Sequence, residues 1–436
     1  MRRLIIVGLA AFAALLVWSV VVAGAALEGW GRRPIAPAGD AQAFAAAAME
    51  RARAASPGDL AFVMIEDGHP TVERFSSIGR PVDRDTLFQV ASLSKWVTAL
   101  GVMHLVETGR IDLDAPVDTY LKRWKLPPSE YDNRQVTVRR LLSHTAGLTD
   151  GLGYLGFAPG QPLQPLPDSL TRAADASPGH DGRVRVGLPP GGQWKYSGGG
   201  YALLQLLIED VTGEPFDTYM RHAVLEPLGM SRSRFVLPAD GVENLAEFFD
   251  LGGKPATHFR FTATAAASLY TSAADLTRLI QAHLPGPAGE PIGRGVLKPE
   301  TLAAMRKPHA SQFGADIWGL GAMLYAPNGK GGYVVGHDGN NDPAINTAAR
   351  FDPARGDGIV VLETGHKILA TRLAGEWVFW KTGKVDNLMV ILESRRTFKT
   401  LAVGWAVILV GSVGLGWWSW RRRQIGGSDV ARASSR

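Results

Sequence analysis

Ser92 and Lys95 lie three residues apart in the run Phe88-Gln89-Val90-Ala91-Ser92-Leu93-Ser94-Lys95, the single Ser-x-x-Lys of the chain. On a helix, positions i and i+3 share a face, so the lysine nitrogen can reach the serine hydroxyl. A helix N-terminus favours developing negative charge and disfavours a nearby cation, which helps Ser92 towards an alkoxide and Lys95 towards a neutral amine. The pair predicts acyl transfer to water through a Ser92 acyl-enzyme, with Lys95 as base. The rival role for Ser92 is a simple N-cap, and two common residues at one spacing prove little by themselves. Other chemistries have less behind them. The chain has no cysteine, which removes thiol nucleophiles, disulfides and zinc–thiolate sites. It has no Gly-x-Ser-x-Gly elbow, no His-Glu-x-x-His and no P-loop, and its ten histidines show no metal-ligand spacing. The expectation is a hydrolase without metal or cofactor.

A helix over Ser92–Thr108, closed by Gly109, is what the pair requires. Upstream, Ala41–Ala55 reads as an alanine-rich helix, and Leu60–Glu66 and Thr71–Ser77 as strands around the hairpin signal Asp67-Gly68. Downstream, Tyr201–Val211, Pro215–Leu228 and Ala273–Leu284 read as helices. Beyond residue 317 the pattern turns to strands, at Trp318–Tyr325, Tyr333–His337, Asn346–Phe351 and Ile359–Glu363, before a last helix over Ile368–Lys381. Residues 149–193 form a long Pro- and Gly-rich stretch, and a loop of that length in a compact domain is usually functional, such as a site rim. Strands first and last with helices between predict an α+β fold. One antiparallel sheet is built from both ends of the domain, a helical lobe lies between, and the site sits at the seam.

Two uncharged segments flank this domain. Leu4–Leu27 follows Arg2 and Arg3 and is long enough to span a bilayer. Ala23-Gly24-Ala25 also has the form of a signal-peptide cleavage site, so residues 1–27 read as a membrane anchor or a signal peptide, and either exports the downstream chain. Thr400–Trp420 ends in Trp417, Trp418 and Trp420 and then three arginines, which suits a span reaching the cytoplasmic interface. The expected organisation is a linker at 28–40, a hydrolase domain at 41–385, a juxtamembrane segment at 386–399, a transmembrane helix at 400–420 and a basic cytoplasmic tail at 421–436. The net charge of +5 belongs to the ends: residues 1–27 carry +2 and residues 421–436 carry +4, leaving −1 for the body. A nucleic-acid-binding body would need a basic face of its own. The expected partners are a lipid bilayer and a small-molecule or peptide substrate.

Three blocks carry a resemblance. The Ser-x-x-Lys helix is followed by Gly109-Arg110-Ile111-Asp112-Leu113-Asp114-Ala115-Pro116-Val117. Val136–Leu148 contains Leu141-Leu142-Ser143-His144-Thr145-Ala146-Gly147-Leu148. The third block is Pro190-Gly191-Gly192-Gln193-Trp194-Lys195-Tyr196-Ser197-Gly198-Gly199-Gly200-Tyr201. In that order, over roughly residues 45–380, the chain resembles class C β-lactamases and the related penicillin-binding proteins and esterases. The resemblance implies a catalytic tyrosine at Tyr196, where the family's Tyr-x-Asn reads Tyr196-Ser197-Gly198. The literal Tyr131-Asp132-Asn133 precedes the Leu141–Leu148 block and so stands in the wrong order. Tyr196 is expected to share proton transfer with Lys95, its phenol made more acidic by the nearby cation. The family's Lys/His-x-Gly element falls on His337-Asp338-Gly339 rather than on Lys381-Thr382-Gly383, which follows a helix. The resemblance then implies an oxyanion hole from the backbone N–H groups of Ser92 and Asn340. His337 is expected to polarise the site or hold a substrate carboxylate, titrating near neutrality, and Gly339 to let substrate approach the backbone. Gly198, in the place of the family asparagine, removes a side-chain amide and should favour esters over amides. His144 is expected to be structural. The substrate stays open among β-lactams, D-Ala peptides, D-amino-acid amides and short esters, as does a sensor that is acylated without turnover.

Overall fold

The computed structural model describes residues 2–55, 57–151, 153–342 and 344–433. The chain divides into two compact units, Pro34–Thr382 and a second made of Met1–Arg33 with Gly383–Arg436.

In the first unit, helix α2 (Ala41–Ala55) leads into strands β1 (Leu60–Glu66) and β2 (His69–Ser76), and six more strands come from the far end of the sequence. These are β3 (Ala310–Gln312), β4 (Ala315–Trp318), β5 (Met323–Pro327), β6 (Tyr333–Asn341), β7 (Ile345–Asp352) and β8 (Asp357–Thr364). The sheet order is β2-β1-β8-β7-β6-β5-β4-β3. Every pairing is antiparallel, and β1 meets β8 from Leu60↔Glu363 to Ile65↔Gly358. The α+β architecture, with one sheet drawn from both ends, is therefore as expected. β1 is apolar and buried at Leu60–Ile65, and β8 at Ile359–Leu362, because a central strand under helices on both faces has no solvent side.

Helices α3 (Ser94–Glu107), α5 (Ala273–Gln281) and α6 (Leu369–Thr382) pack against this sheet, and α4 (Gly198–Thr212) packs on α3 within the helical lobe. Several boundaries differ from expectation for local reasons. The helix predicted from Ser92 begins as a 3-10 turn over Ala91–Leu93 and turns α-helical at Ser94. α4 begins at Gly198 rather than Tyr201, because the Ser197 hydroxyl caps it by accepting the Gly200 N–H at 2.8 Å. The helix predicted over Pro215–Leu228 passes into a π turn at Arg221–Leu225. The strand predicted over Trp318–Tyr325 is broken by Gly319-Leu320-Gly321. Gly321 has φ 81°, and a β-carbon on it would lie 2.1 Å from that of Ala99, so the chain turns there against α3. Among the described residues of 149–193 there is one short helix, Leu166–Thr171, and the rest is irregular.

In the second unit, α1 (Arg2–Leu27) and α7 (Asn387–Ala433) pack on each other. The Trp18 indole donates to the Leu401 carbonyl at 3.3 Å and the Trp405 indole to the Ser19 hydroxyl at 3.0 Å. Ile5–Glu28 and Asn387–Trp418 are long and apolar enough to cross a membrane by length and composition. The segment 386–399, expected to be separate, is continuous with the expected span from Asn387 onwards, since no proline interrupts it. The last three residues of the basic tail lie outside the described residues.

Candidate active site

Ser92 stands in the tight turn between a two-residue strand, Phe88–Gln89, and α3. Ala91 before it has φ 46°, a left-handed conformation that a residue with a β-carbon adopts at a cost. Two contacts hold the turn. The Ser94 hydroxyl donates to the Ala91 carbonyl at 2.6 Å and accepts the Leu269 N–H at 2.9 Å. On the other side, β6 lies directly on Val90: a β-carbon on Gly339 would fall 1.9 Å from the Val90 carbonyl oxygen. Thr347 of β7 donates to the same oxygen at 3.0 Å. Gly339 is thus needed for a close backbone approach. The partner in that approach is the nucleophile's own turn, a reason beyond the expected approach of substrate.

Lys95 projects from the first turn of α3. Its Nζ donates to Ser92 Oγ at 3.2 Å and to the Ala266 carbonyl at 2.8 Å, and lies 5.0 Å from the centre of the Tyr196 ring. The side chain is buried. Burial lowers its pKa from 10.5 to about 7, with Asp150 opposing the shift. Lys95 is therefore substantially a neutral amine near pH 7. Tyr196 is half-buried, and its hydroxyl shares a hydrogen bond with Ser92. The expected acidic phenol is not what forms here: burial raises the Tyr196 pKa well above 10.0, and Ser92 only partly offsets it. Of the two candidate bases, only Lys95 is unprotonated to a useful extent at neutral pH.

A cleft of about 310 Å³ opens over Ser92. One wall is largely apolar, from Tyr154, Leu155, Pro178, Ala266 and Ala267, with Gly198 at its base. The opposite rim carries Asn340, Asn341, Asp342 and Lys367. Lys367 pairs with Asp342 at 2.8 Å, and the Asn340 side chain donates to the Lys367 carbonyl. A larger concavity, about 480 Å³ around Asp67–His69 and Pro353–Gly356, contains none of the candidate catalytic or substrate-binding residues.

His337 requires a second correction. It is 1% exposed, does not line the cleft, and turns its ring edge-on to Trp318 at 5.4 Å. Burial, assisted by Lys95, lowers its pKa to about 4. It therefore neither meets a substrate carboxylate nor titrates near neutrality. Gly198 does line the cleft, with a helical backbone rather than a positive φ, and a β-carbon there would stand 3.0 Å from the Tyr154 ring. The space a side chain would take is filled by an aromatic ring. His144 accepts the Ser197 N–H on Nδ1 at 3.2 Å and lies 4.4 Å from Tyr196 between ring centres, in keeping with a structural part.

Three neighbours had no signal in the sequence. Asp150 accepts from the Ser197 hydroxyl and from the Gly199 N–H at 2.7 Å, at the N-terminus of α4 where a carboxylate is favoured. Its pKa is raised by burial, against those hydrogen bonds and Lys95. Tyr154 lies within the irregular loop, and Lys367 in the turn after β8; nothing in their spacing pairs them with Ser92. Among the described residues, no cluster of three or more His, Cys, Asp or Glu could hold a metal ion.

The chain is similar to known proteins. The chain is 32% identical over 274 residues to penicillin-binding protein 4 of Amycolatopsis lactamdurans, covering 60% of this chain and 68% of that one. It is 30% identical over 293 residues to esterase EstB of Burkholderia gladioli, covering 56% and 68%. Among solved structures, the octameric penicillin-binding protein homologue from Pyrococcus abyssi superposes with a TM-score of 0.64 at 24% identity, over 79% of this chain and 78% of that one, which shows the common fold. The family model described as beta-lactamase matches residues 44–375, and the chain belongs to that family, whose relatives of this protein include hydrolases.

Proposed function

We propose that the protein is a membrane-tethered serine hydrolase that cleaves small esters through a Ser92 acyl-enzyme, its catalytic domain on the outer side of the membrane. The observation that carries this reading is the Lys95 amine, 3.2 Å from Ser92 Oγ with its pKa lowered to about 7 by burial. Lys95 takes the proton of Ser92 as the hydroxyl attacks the acyl carbon. Tyr196, protonated and hydrogen-bonded to Ser92, passes its proton to the leaving oxygen and takes one back from the Lys95 ammonium, which leaves the phenol and the amine neutral again. The backbone N–H groups of Ser92 and Asn340 receive the oxyanion, a contribution of about 3–4 kcal/mol for such donors. Water then cleaves the acyl-enzyme, with Lys95 again as base. The apolar wall and the Tyr154 ring beside Gly198 favour an acyl group without an amide.

A second reading, carboxypeptidase action on a D-Ala peptide, is favoured by one feature, the exposed Lys367 on the rim, which could meet a carboxylate. A panel of p-nitrophenyl esters, a D-Ala-D-Ala peptide and a chromogenic cephalosporin, run on wild type and Ser92→Ala, separates the readings. Fastest turnover of short esters, lost in Ser92→Ala, is the expected result. Fluorophosphonate label on Ser94, or label surviving in Ser92→Ala, overturns the nucleophile. Stoichiometric acylation without turnover would make the protein a sensor.

A further inference from the structure

Two buried histidines beside Lys95 have no part in the steps above. His144 and His337 are 2% and 1% exposed, and both stand edge-on to Trp318, with ring centres at 4.7 and 5.4 Å. Backbone groups set their tautomers. The Ser197 N–H donates to His144 Nδ1 at 3.2 Å, so that atom holds a lone pair and the ring is neutral with its proton on Nε2. The Asp338 carbonyl lies 2.6 Å from His337 Nδ1 and can only accept, so there the proton is on Nδ1 and the lone pair on Nε2. Both Nε2 atoms are buried without a hydrogen-bond partner. One is an unmatched donor and the other an unmatched acceptor, a condition folded proteins rarely leave uncompensated. His337 acts electrostatically on His144, and Lys95 on both. The other titratable groups nearby are the Tyr196 and Tyr201 rings against His144 and, on the sheet, Asp338 held by Arg350 and Tyr325.

We propose that one water bridges His144 Nε2–H and His337 Nε2, and that the bridged pair is an uncharged positioning unit for Lys95 and Tyr196. A buried water needs both a donor and an acceptor, and the two Nε2 atoms supply one of each. The lack of charge also has a use. Lys95 becomes an ammonium when it takes the Ser92 proton, and a cation at either histidine would oppose that step. The low pKa of His337, about 4, agrees with a ring that stays neutral. The kinetic part of this inference rests on Lys95 being the base; the tautomers do not.

The test uses the full-length protein in detergent micelles, labelled with 15N-histidine. His144→Asn and His337→Asn assign the two signals. Each Asn can keep its ring's backbone hydrogen bond and removes only the Nε2 atom. The expected spectrum has His144 as the Nε2–H tautomer, His337 as the Nδ1–H tautomer, and neither titrating between about pH 5.5 and 9, since burial lowers both rings and His337 lies near 4. With p-nitrophenyl acetate, each Asn variant should lose about tenfold in kcat/KM and move the Lys95 pH limb, and the double variant should lose no more than a single. His144→Gln and His337→Gln, which keep a polar group at the ε position, should hold most of the activity and serve if an Asn variant does not fold. Identical tautomers, a titration of either ring near pH 6.5, losses that multiply in a folded double variant, or Gln variants no better than Asn would each overturn the pairing. If the ester is not turned over but the tautomers are as stated, the esterase reading fails and the pairing stands.

Discussion

Replacing Lys95 by methionine should abolish turnover and yet stabilise the catalytic unit, by an amount that depends on pH. The lysine is 2% exposed, and its pKa falls from 10.5 in the unfolded chain to about 7 in the fold. Each pKa unit corresponds to about 1.4 kcal/mol, so holding this lysine buried costs about 5 kcal/mol wherever the unfolded chain is protonated and the folded one would also have to be. The sign comes from proton counting. Between pH 7 and 10.5 the unfolded chain binds the proton that the fold has released, so stability rises with pH across that window. The penalty is complete below pH 7, about 2 kcal/mol at pH 9, and gone above 10.5. Methionine is uncharged and of similar length, but it leaves the Ala266 carbonyl without the Lys95 hydrogen bond, which costs about 1 kcal/mol. The net gain is about 4 kcal/mol at pH 6 and about 1 kcal/mol at pH 9. For a unit of roughly 350 residues, with an unfolding entropy of about 2.1 cal/mol/K per residue, these correspond to about 5 °C and 1–2 °C in midpoint. Near-UV circular dichroism melts of both full-length proteins, at one scan rate and at pH 6 and 9, measure the two gaps. A variant less stable than wild type at pH 6, or a gap that does not change with pH, would refute the claim that Lys95 is held as a neutral amine.

In wild type, kcat/KM for an ester should rise through about pH 7 as Lys95 deprotonates, with no limb near 6.5 from His337, whose pKa lies near 4; Asp150→Asn, by removing the carboxylate that opposes the Lys95 shift, should move the rise to lower pH, and an unmoved profile would count against it. Gly339→Ala should cost at least a hundredfold in activity, because its β-carbon would overlap the Val90 carbonyl at 1.9 Å and push β6 from the Ser92 turn; near-normal kinetics would show that the strand need not sit there. Gly198→Asn alone should lose about 1–3 kcal/mol of stability to crowding against Tyr154, whereas Gly198→Asn with Tyr154→Ala should raise amide or β-lactam turnover relative to ester turnover; a folded double variant with an unchanged kcat/KM ratio would remove position 198 from substrate choice. C-terminal reporter fusions at Gly383 and Arg436 should report opposite sides of the membrane, and the same compartment for both would mean that 400–420 is not a span.

Much of the frame is legible from short-range pattern. The apolar runs Leu60–Ile65 of β1 and Ile359–Leu362 of β8 mark strands covered on both faces whatever their partners, since such runs leave no polar face for solvent. The three-residue spacing from Ser92 to Lys95 survives although the helix starts at Ser94, because a 3-10 turn also places i and i+3 together. The errors lie where a glycine or a cap decides an element's end. Gly319 and Gly321 divide a predicted strand, and Ser197 starts α4 three residues earlier than its apolar pattern does.

By itself, the amino-acid sequence determined the α+β order of elements, the two apolar segments, and the Ser92–Lys95 pair, because each depends on residues close together in the chain. Only the tertiary structure decided which groups are charged and which reach the cleft. His337 lies on the expected strand, but Trp318 and Lys95, brought from distant segments, make it a buried neutral ring. Tyr196 was expected to be acidic, and burial reverses that sign. Tyr154 fills the space beside Gly198 and Asp150 occupies the start of α4 although neither has a spacing that announces it. Desolvation and Coulomb interaction depend on distances in space between residues far apart in sequence, and no local pattern records those distances.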